Sequence, residues 1–181
     1  MQIVDDFLDT QYFNDLVKDV FDEDFPWYYH EGINNYHDSP SSQYTHMLYA
    51  RNQVKSRMFE NFEPLLEQLN VFSLLRMKLN LVPRTITRIE HEFHTDLPDT
   101  KNDYTTAILY LNDNDGDTLF KDEKVRSVAN RLVIFNGQTP HASTSNTDEA
   151  YRRVCLNINY IENMSKSVSY THLTLPTRLS V

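Results

Sequence analysis

With 181 residues, 40% hydrophobic and 24% charged, the chain has the make-up of one folded domain of ordinary size and is too apolar for a disordered segment. A net charge of -9 opposes a phosphate backbone, so nucleic acid is not an expected partner, and three glycines leave little material for a phosphate-cradling loop. A single cysteine, Cys155, excludes an internal disulfide and any CxxC motif; the start lacks a basic, apolar leader pattern and no apolar run approaches the ~18 residues of a membrane span, so a cytoplasmic setting is expected, with oligomeric state left open.

From Thr10 onward, Phe13, Leu16, Val17, Val20 and Phe21 recur at helical spacing between acidic and basic residues, which predicts an amphipathic helix packed on a core. After the aromatic run Trp27-Tyr28-Tyr29, residues His30 to Gln53 show no clear period and read as an irregular excursion of the kind that borders sites. Phe59, Phe62, Leu65, Leu66 and Leu69 predict a second helical stretch that Pro64 must either start or kink. Beyond Asn70 the period becomes two: Leu75, Met77, Leu79 and Leu81 alternate with Arg76, Lys78 and Asn80, as in a half-buried strand. Further strands are predicted over Thr85 to His94, Tyr104 to Asn112, Thr118 to Phe120, Leu132 to Asn136 and Arg152 to Tyr160, separated by polar turns. Helices followed by short strands predict a mainly β chain with flanking helices and a jelly-roll core. The expected layout is one domain over 1–167, with helical support and loops in 1–70 and the jelly roll in 71–162. The tail 168–181 breaks with the preceding composition and is expected to be non-native or disordered, so His172 receives no role.

The chemistry gathers in a few of these elements. In EHEFHTDLP, His94 and Asp96 are two apart and share one face if the strand from Thr85 runs through them, so an imidazole and a carboxylate can meet one ion. His141, in NGQTPHAST, supplies a third ligand. Two histidines and a carboxylate leave several coordination positions open, which suits non-haem Fe(II) better than a closed zinc site. Downstream, RRVCLNINY alternates so that Arg153, Cys155, Asn157 and Asn159 share a face opposite Val154, Leu156, Ile158 and Tyr160, which favours Arg153 over Arg152 as a pocket cation able to grip a carboxylate in bidentate fashion.

HTD, a distal His141 and an arginine about a dozen residues later resemble the pattern of the 2-oxoglutarate- and Fe(II)-dependent oxygenases, and TTAILYLND is similar to the central strand of their prolyl 4-hydroxylase-like branch. The resemblance covers about Leu75 to Tyr160 and implies a double-stranded β-helix with iron on His94, Asp96 and His141. It further implies 2-oxoglutarate held by Arg153 and Tyr110 with Thr106 beside it, O₂ as co-reactant and ascorbate as reductant. The implied reaction hydroxylates a C–H bond of a peptidyl proline, another amino-acid side chain or a small molecule. Gly116-Asp117 departs from the branch, where two glycines are common. Two other function classes stay open: a jelly-roll binding protein without turnover, and a cupin-like metal enzyme that uses no oxo acid.

Other residues carry structural readings. His91, three before His94, is expected to face away as a structural residue, and His30, His37 and His46 to be solvated or hydrogen-bonded. Cys155 is expected as a small buried hydrophobe, Arg152 as a charge on the outer surface, and Asp113, Asp115 and Asp117 as a solvated turn rather than a calcium loop.

Overall fold

The computed structural model describes residues 1–33, 42–100 and 102–163, so His37 and the tail 168–181 lie outside the described residues. After a short strand β1 (Gln2–Val4), helix α1 (Thr10–Val20) begins at a side-chain cap: the Asp9 carboxylate accepts from the amides of Gln11 at 2.9 Å and Tyr12 at 3.2 Å. Two of the donors that a helix start leaves without partners are thereby satisfied. Phe13, Leu16 and Val20, three and four apart, are its buried stripe.

Strands β2 (Tyr28–His30), β3 (Gln43–Ala50) and β4 (Gln53–Val54) follow, so the stretch expected to be irregular contains an eight-residue strand. Its period was hidden because Gln43, Thr45, His46 and Leu48 are all buried, leaving no solvent face to mark the alternation. A 3₁₀ turn (Arg57–Phe62) leads into α2 (Glu63–Gln68), where Pro64 sits in the first turn and starts the helix, because the N–H it lacks has no partner there anyway.

The rest is β: β5 (Val71–Pro83), β6 (Thr105–Tyr110), β7 (Asp117–Leu119), β8 (Lys124–Arg126), β9 (Leu132–Asn136), β10 (Ala142–Ser143) and β11 (Arg152–Glu162). The main sheet runs β1-β9-β6-β11-β5-β3-β2 with β4 on β3, and a smaller sheet runs β10-β7-β8; every pairing is antiparallel. Helices cover one face of the main sheet and the small sheet covers the other, the jelly-roll arrangement.

Alternation divides the main sheet into two chemistries. Met77, Leu79 and Leu81 of β5, Ala107 and Leu109 of β6, Leu132 of β9, and Val154, Leu156 and Ile158 of β11 form one buried cluster with the α1 stripe. Each large side chain so buried adds roughly 1.5–3 kcal/mol. Ile108, Tyr110, Phe120, Val125, Val133, Phe135 and Cys155 make a second cluster between the sheets. Arg152 belongs to the helix side rather than the outer surface, its guanidinium carbon 4.6 Å from the Phe21 ring centre.

One expected strand is corrected. Residues 85–94 form only isolated bridges, Glu90 to Thr144 and His94 to His141. The segment still runs antiparallel to 141–146, since Thr85 N reaches Asn146 O at 3.0 Å, Ser145 N reaches Ile89 O at 2.9 Å and His91 N reaches Ser143 O at 2.9 Å. Serine side chains interrupt the ladder: Ser145 Oγ takes the Ile89 amide at 2.9 Å, a bond a regular strand would route to a carbonyl.

Candidate metal centre and its cavities

His94 and His141 meet through a two-way backbone bridge, His94 N to His141 O at 2.9 Å and His141 N to His94 O at 3.0 Å, which sets their ring centres 4.7 Å apart. The ladder, rather than a shared strand face with Asp96, brings the imidazoles together. In each ring Nδ1 lies against a backbone carbonyl, Glu92 O at 3.3 Å for His94 and Thr139 O at 3.1 Å for His141. Such contacts fix ring orientation and favour the Nδ1–H tautomer. Nε2 of His141 then points at Asp96 Oδ2, 3.8 Å away. One ligating atom from each of His94, Asp96 and His141 falls within 4.8 Å of the other two.

Asp96 is held from three directions. Arg76 donates to Oδ1 at 2.6 Å and to the backbone carbonyl at 3.1 Å, while Asn157 and Asn159 donate to Oδ2 at 2.9 and 3.0 Å. Burial works to raise this carboxyl, but the Arg76 guanidinium, His141 and the two amides overcome it and keep the group well below the ordinary carboxylate range. Burial, helped by the neighbouring His141, brings His94 down to about 4, so it offers a neutral lone pair at neutral pH. An ionised carboxylate beside a neutral imidazole is the protonation state that a divalent transition metal requires.

The second half of the site lies along β11. Arg153 is 3% exposed and donates from Nε to Ser127 Oγ at 2.8 Å and from Nη2 to Thr118 Oγ1 at 2.9 Å. Tyr110, fully buried on β6, donates to the same Thr118 Oγ1 at 2.7 Å, its ring centre 5.4 Å from the Arg153 guanidinium carbon. Gly116 makes room for this arginine, since a Cβ there would come within 2.8 Å of Arg153 Cδ, so the single glycine that the turn keeps is the one packing demands. Arg153 and the triad line one narrow inner cavity of about 60 Å³, together with Ile108, Thr118, Cys155 and Asn157. Gln43, Lys78, His94 and Asp96 also line an outer cavity of about 570 Å³, which His30, Thr45, Met47, Arg76, Thr95 and Pro98 complete.

Thr106, expected beside Tyr110, shares its face but lies toward the metal end, where Thr106 Oγ1 accepts from Asn159 at 2.9 Å. His91 is buried with Nδ1 at 2.8 Å from Ser143 Oγ, and its Nε2 has no hydrogen-bond partner among the described residues. His46 contacts Pro26 O at 2.7 Å and His30 contacts Thr45 Oγ1 at 2.8 Å, while buried Cys155 packs with Tyr110 and Phe120. The acidic turn is bonded as well as partly solvated: exposed Asp113 accepts from Ala129 N at 2.9 Å, half-buried Asp115 from Thr147 N at 2.7 Å and Oγ1 at 2.6 Å, and buried Asp117 pairs with Arg88 at 3.2 Å and Lys124 at 3.4 Å. Sequence reasoning left Arg76, Lys78 and Asn80 on an unassigned polar face. The only available signal was that three polar residues in register on a strand of 13 residues are many for a face turned to solvent alone.

No protein-family model and no curated protein matches the sequence. Solved structures match at the level of fold. A prolyl-4-hydroxylase from Pseudomonas putida aligns with a TM-score of 0.61 at 14% identity over 90% of this chain and 92% of its own. A prolyl hydroxylase from Trichoplax adhaerens, solved with a hypoxia inducible factor oxygen degradation domain peptide, aligns with a TM-score of 0.62 at 12% identity over 89% and 83%. SnoN, a non-haem alpha-ketoglutarate-dependent epimerase from nogalamycin biosynthesis, aligns with a TM-score of 0.61 at 13% identity over 88% and 77%, and was also solved with Fe3+ and alpha-ketoglutarate. The fold is therefore that of the prolyl 4-hydroxylase-like 2-oxoglutarate oxygenases. No described helix is long and apolar enough to cross a membrane.

Proposed function

We propose that the chain is an Fe(II)- and 2-oxoglutarate-dependent oxygenase, built as one domain over 1–167, that hydroxylates a C–H bond of an amino-acid side chain or small molecule. The observation that carries this reading is Arg153: a guanidinium only 3% exposed, bonded to two hydroxyls and no carboxylate among the described residues, in one cavity with a two-histidine, one-aspartate cluster. A buried cation without a counter-ion is costly unless a ligand supplies the missing charge. A dicarboxylate that can chelate a metal at its other end fits both requirements.

Fe(II) bound with the oxo acid would supply the redox chemistry, coupling oxidative decarboxylation to substrate hydroxylation with O₂ as oxidant and ascorbate as reductant. His94, Asp96 and His141 would hold the ion, and Arg76, Asn157 and Asn159 keep the Asp96 carboxylate ionised and aimed. Arg153 would anchor the distal carboxylate, with Thr118 free to turn its hydroxyl toward the same group as Tyr110 donates to it from behind. Tyr110 is held protonated for this purpose, since burial pushes it up to about 12. Ile108, Phe120, Phe135 and Cys155 keep water from the strip between Arg153 and the triad, strengthening each electrostatic contact there.

Purified protein given Fe(II), ascorbate and 2-oxoglutarate in air should form succinate without an added substrate, and Asp96→Ala should form none. Anaerobic titration separates a substrate-gated enzyme, which binds both ligands without turnover, from a chain that binds no metal, which would overturn the proposal. A cupin-like metal enzyme that uses no oxo acid predicts that Arg153→Leu leaves activity unchanged.

A further inference from the structure

The molecule holds one more cation at the site than the proposed chemistry uses. Lys78 lies on the cavity face of β5, paired in register with Asn157 of β11 on one side and Met47 of β3 on the other. It lines both cavities, at the junction where His94 and Asp96 also stand. Among the described residues no hydrogen bond or ion pair reaches its ammonium. Arg76, two residues away on the same face, is fully engaged: it donates to Asp96 Oδ1, Asp96 O, Asn157 Oδ1 and Asn159 Oδ1 at 2.6 to 3.3 Å.

Among the described residues, the titratable ones lining the outer cavity are His30, Arg76, Lys78, His94 and Asp96, and Asp96 is the one acid in that set. On the reading proposed above, every other cation stands beside a carboxylate. Asp96 faces Arg76 and the ion, the near carboxylate of the oxo acid faces the ion, and the far carboxylate faces Arg153. Among the described residues Lys78 is the one cation left over, and it faces the cavity in which a substrate would lie. Its other walls, Gln43, Thr45, Met47 and Pro98, add no charge. Burial and repulsion from Arg76 bring the Lys78 ammonium down to about 8, outweighing the attraction of Asp96, which already faces Arg76.

We propose that Lys78 is a specificity-determining residue that binds a carboxylate of the primary substrate, so that this enzyme acts on an anionic molecule or acidic side chain whose reacting carbon lies close to that carboxylate. The inference rests on the oxygenase reading, because the charge count uses the bound ion and oxo acid. An outer cavity of about 570 Å³ suits an amino-acid-sized group. A lysine point charge, with three rotatable donors, suits a carboxylate that need not be gripped in one plane.

The test uses protein saturated with Fe(II) and 2-oxoglutarate under anaerobic conditions, with lysine isotopically labelled. The Lys78 resonance is assigned as the one missing from Lys78→Met. The probes are N-acetylated amino acids, each paired with its neutral primary amide. At least one carboxylate should shift the Lys78 resonance and bind by calorimetry while its amide does neither, and Lys78→Met should weaken that carboxylate by about tenfold or more. Ligand-free Lys78→Met should melt at the same or a higher temperature than the wild type, because an unpaired cation has been replaced by an apolar side chain of similar length.

Equal binding of acids and amides would overturn the inference. So would a Lys78→Met variant that weakens 2-oxoglutarate instead of the probe, which would assign the lysine to the oxo acid. A substantial fall in melting temperature would likewise count against it, since it would mean that the ammonium has a structural partner. If the wild type binds no 2-oxoglutarate, the oxygenase reading itself fails, and that result is separate from each of the others.

Discussion

The two faces of β11 have opposite tasks and opposite tolerances. Toward the helices, Val154, Leu156 and Ile158 are fully buried among Leu16, Leu65, Met77 and Leu109, and nothing polar interrupts them. Toward the small sheet, the residues between them are Arg153, Cys155, Asn157 and Asn159, which carry the cation and the two amides that hold Asp96. One strand therefore carries its stability on the apolar side and its polar cavity lining one residue out of phase. A shift of register by one residue would exchange the two faces completely. The unbroken ladder from Arg152 against Pro83 to Asn159 against Arg76 pins that register along the site, and the pairing shifts only beyond Asn159.

The variant that should separate the faces most sharply is Asp96→Ala. Metal binding should fall below detection in anaerobic Fe(II) titration, because one of three ligands is gone. The fold should also weaken, since Arg76, now facing no carboxylate, becomes an uncompensated buried cation of the kind that costs about 3–5 kcal/mol when its partner is removed. Asp96→Ala, Arg76→Met should recover much of that stability in a thermal melt and none of the metal binding. Next in size is Leu156→Ala on the opposite face. Removing a fully buried leucine should cost about 2–5 kcal/mol in denaturant unfolding, while 2-oxoglutarate affinity below the midpoint changes little. A large loss of affinity there would mean that the two faces are not independent.

Arg153→Leu should weaken 2-oxoglutarate by about 10- to 100-fold, read by anaerobic calorimetry, with Fe(II) affinity nearly unchanged. That residue was legible in the alternation of RRVCLNINY because both faces of β11 are buried and differ in polarity. The grouping of His94, Asp96 and His141 follows from a different geometry than a shared strand face: His94 and Asp96 do not sit on a common strand, and the histidines converge through the bridge between 94 and 141. Strand β3 was not legible, since its buried Gln43, Thr45 and His46 imitate loop composition. Nor were the roles of Arg76 and Lys78, because a polar face lining a cavity and a polar face in water have the same alternation. Only the pairing of β5 between β3 and β11, a long-range fact, distinguishes them.

The smallest expected effect concerns a carboxylate at the rim, Asp115, which makes the useful contrast with Asp96. Both are depressed against the opposing effect of burial, Asp96 by charges within the site and Asp115 by donors from a neighbouring loop: Thr147 through its amide and hydroxyl, the Asp148 amide, and Arg88. The Asp115 carboxyl is brought down to about 2. An acid whose folded value lies below its unfolded value of about 3.9 stabilises the fold fully above the unfolded value and loses that contribution as pH falls through the folded one. Melting temperature should therefore decline between about pH 4 and pH 2, and Asp115→Asn should decline less steeply over that window while starting lower at pH 7. At neutral pH Asp115→Asn should bind Fe(II) and 2-oxoglutarate as the wild type does, because the loop it ties lies behind Arg88 rather than along either cavity. An unchanged acid limb would mean that Thr147 and Asp148 find other acceptors. A weakened oxo-acid affinity would mean that this turn positions Arg153 through Gly116, against which the Arg153 side chain packs.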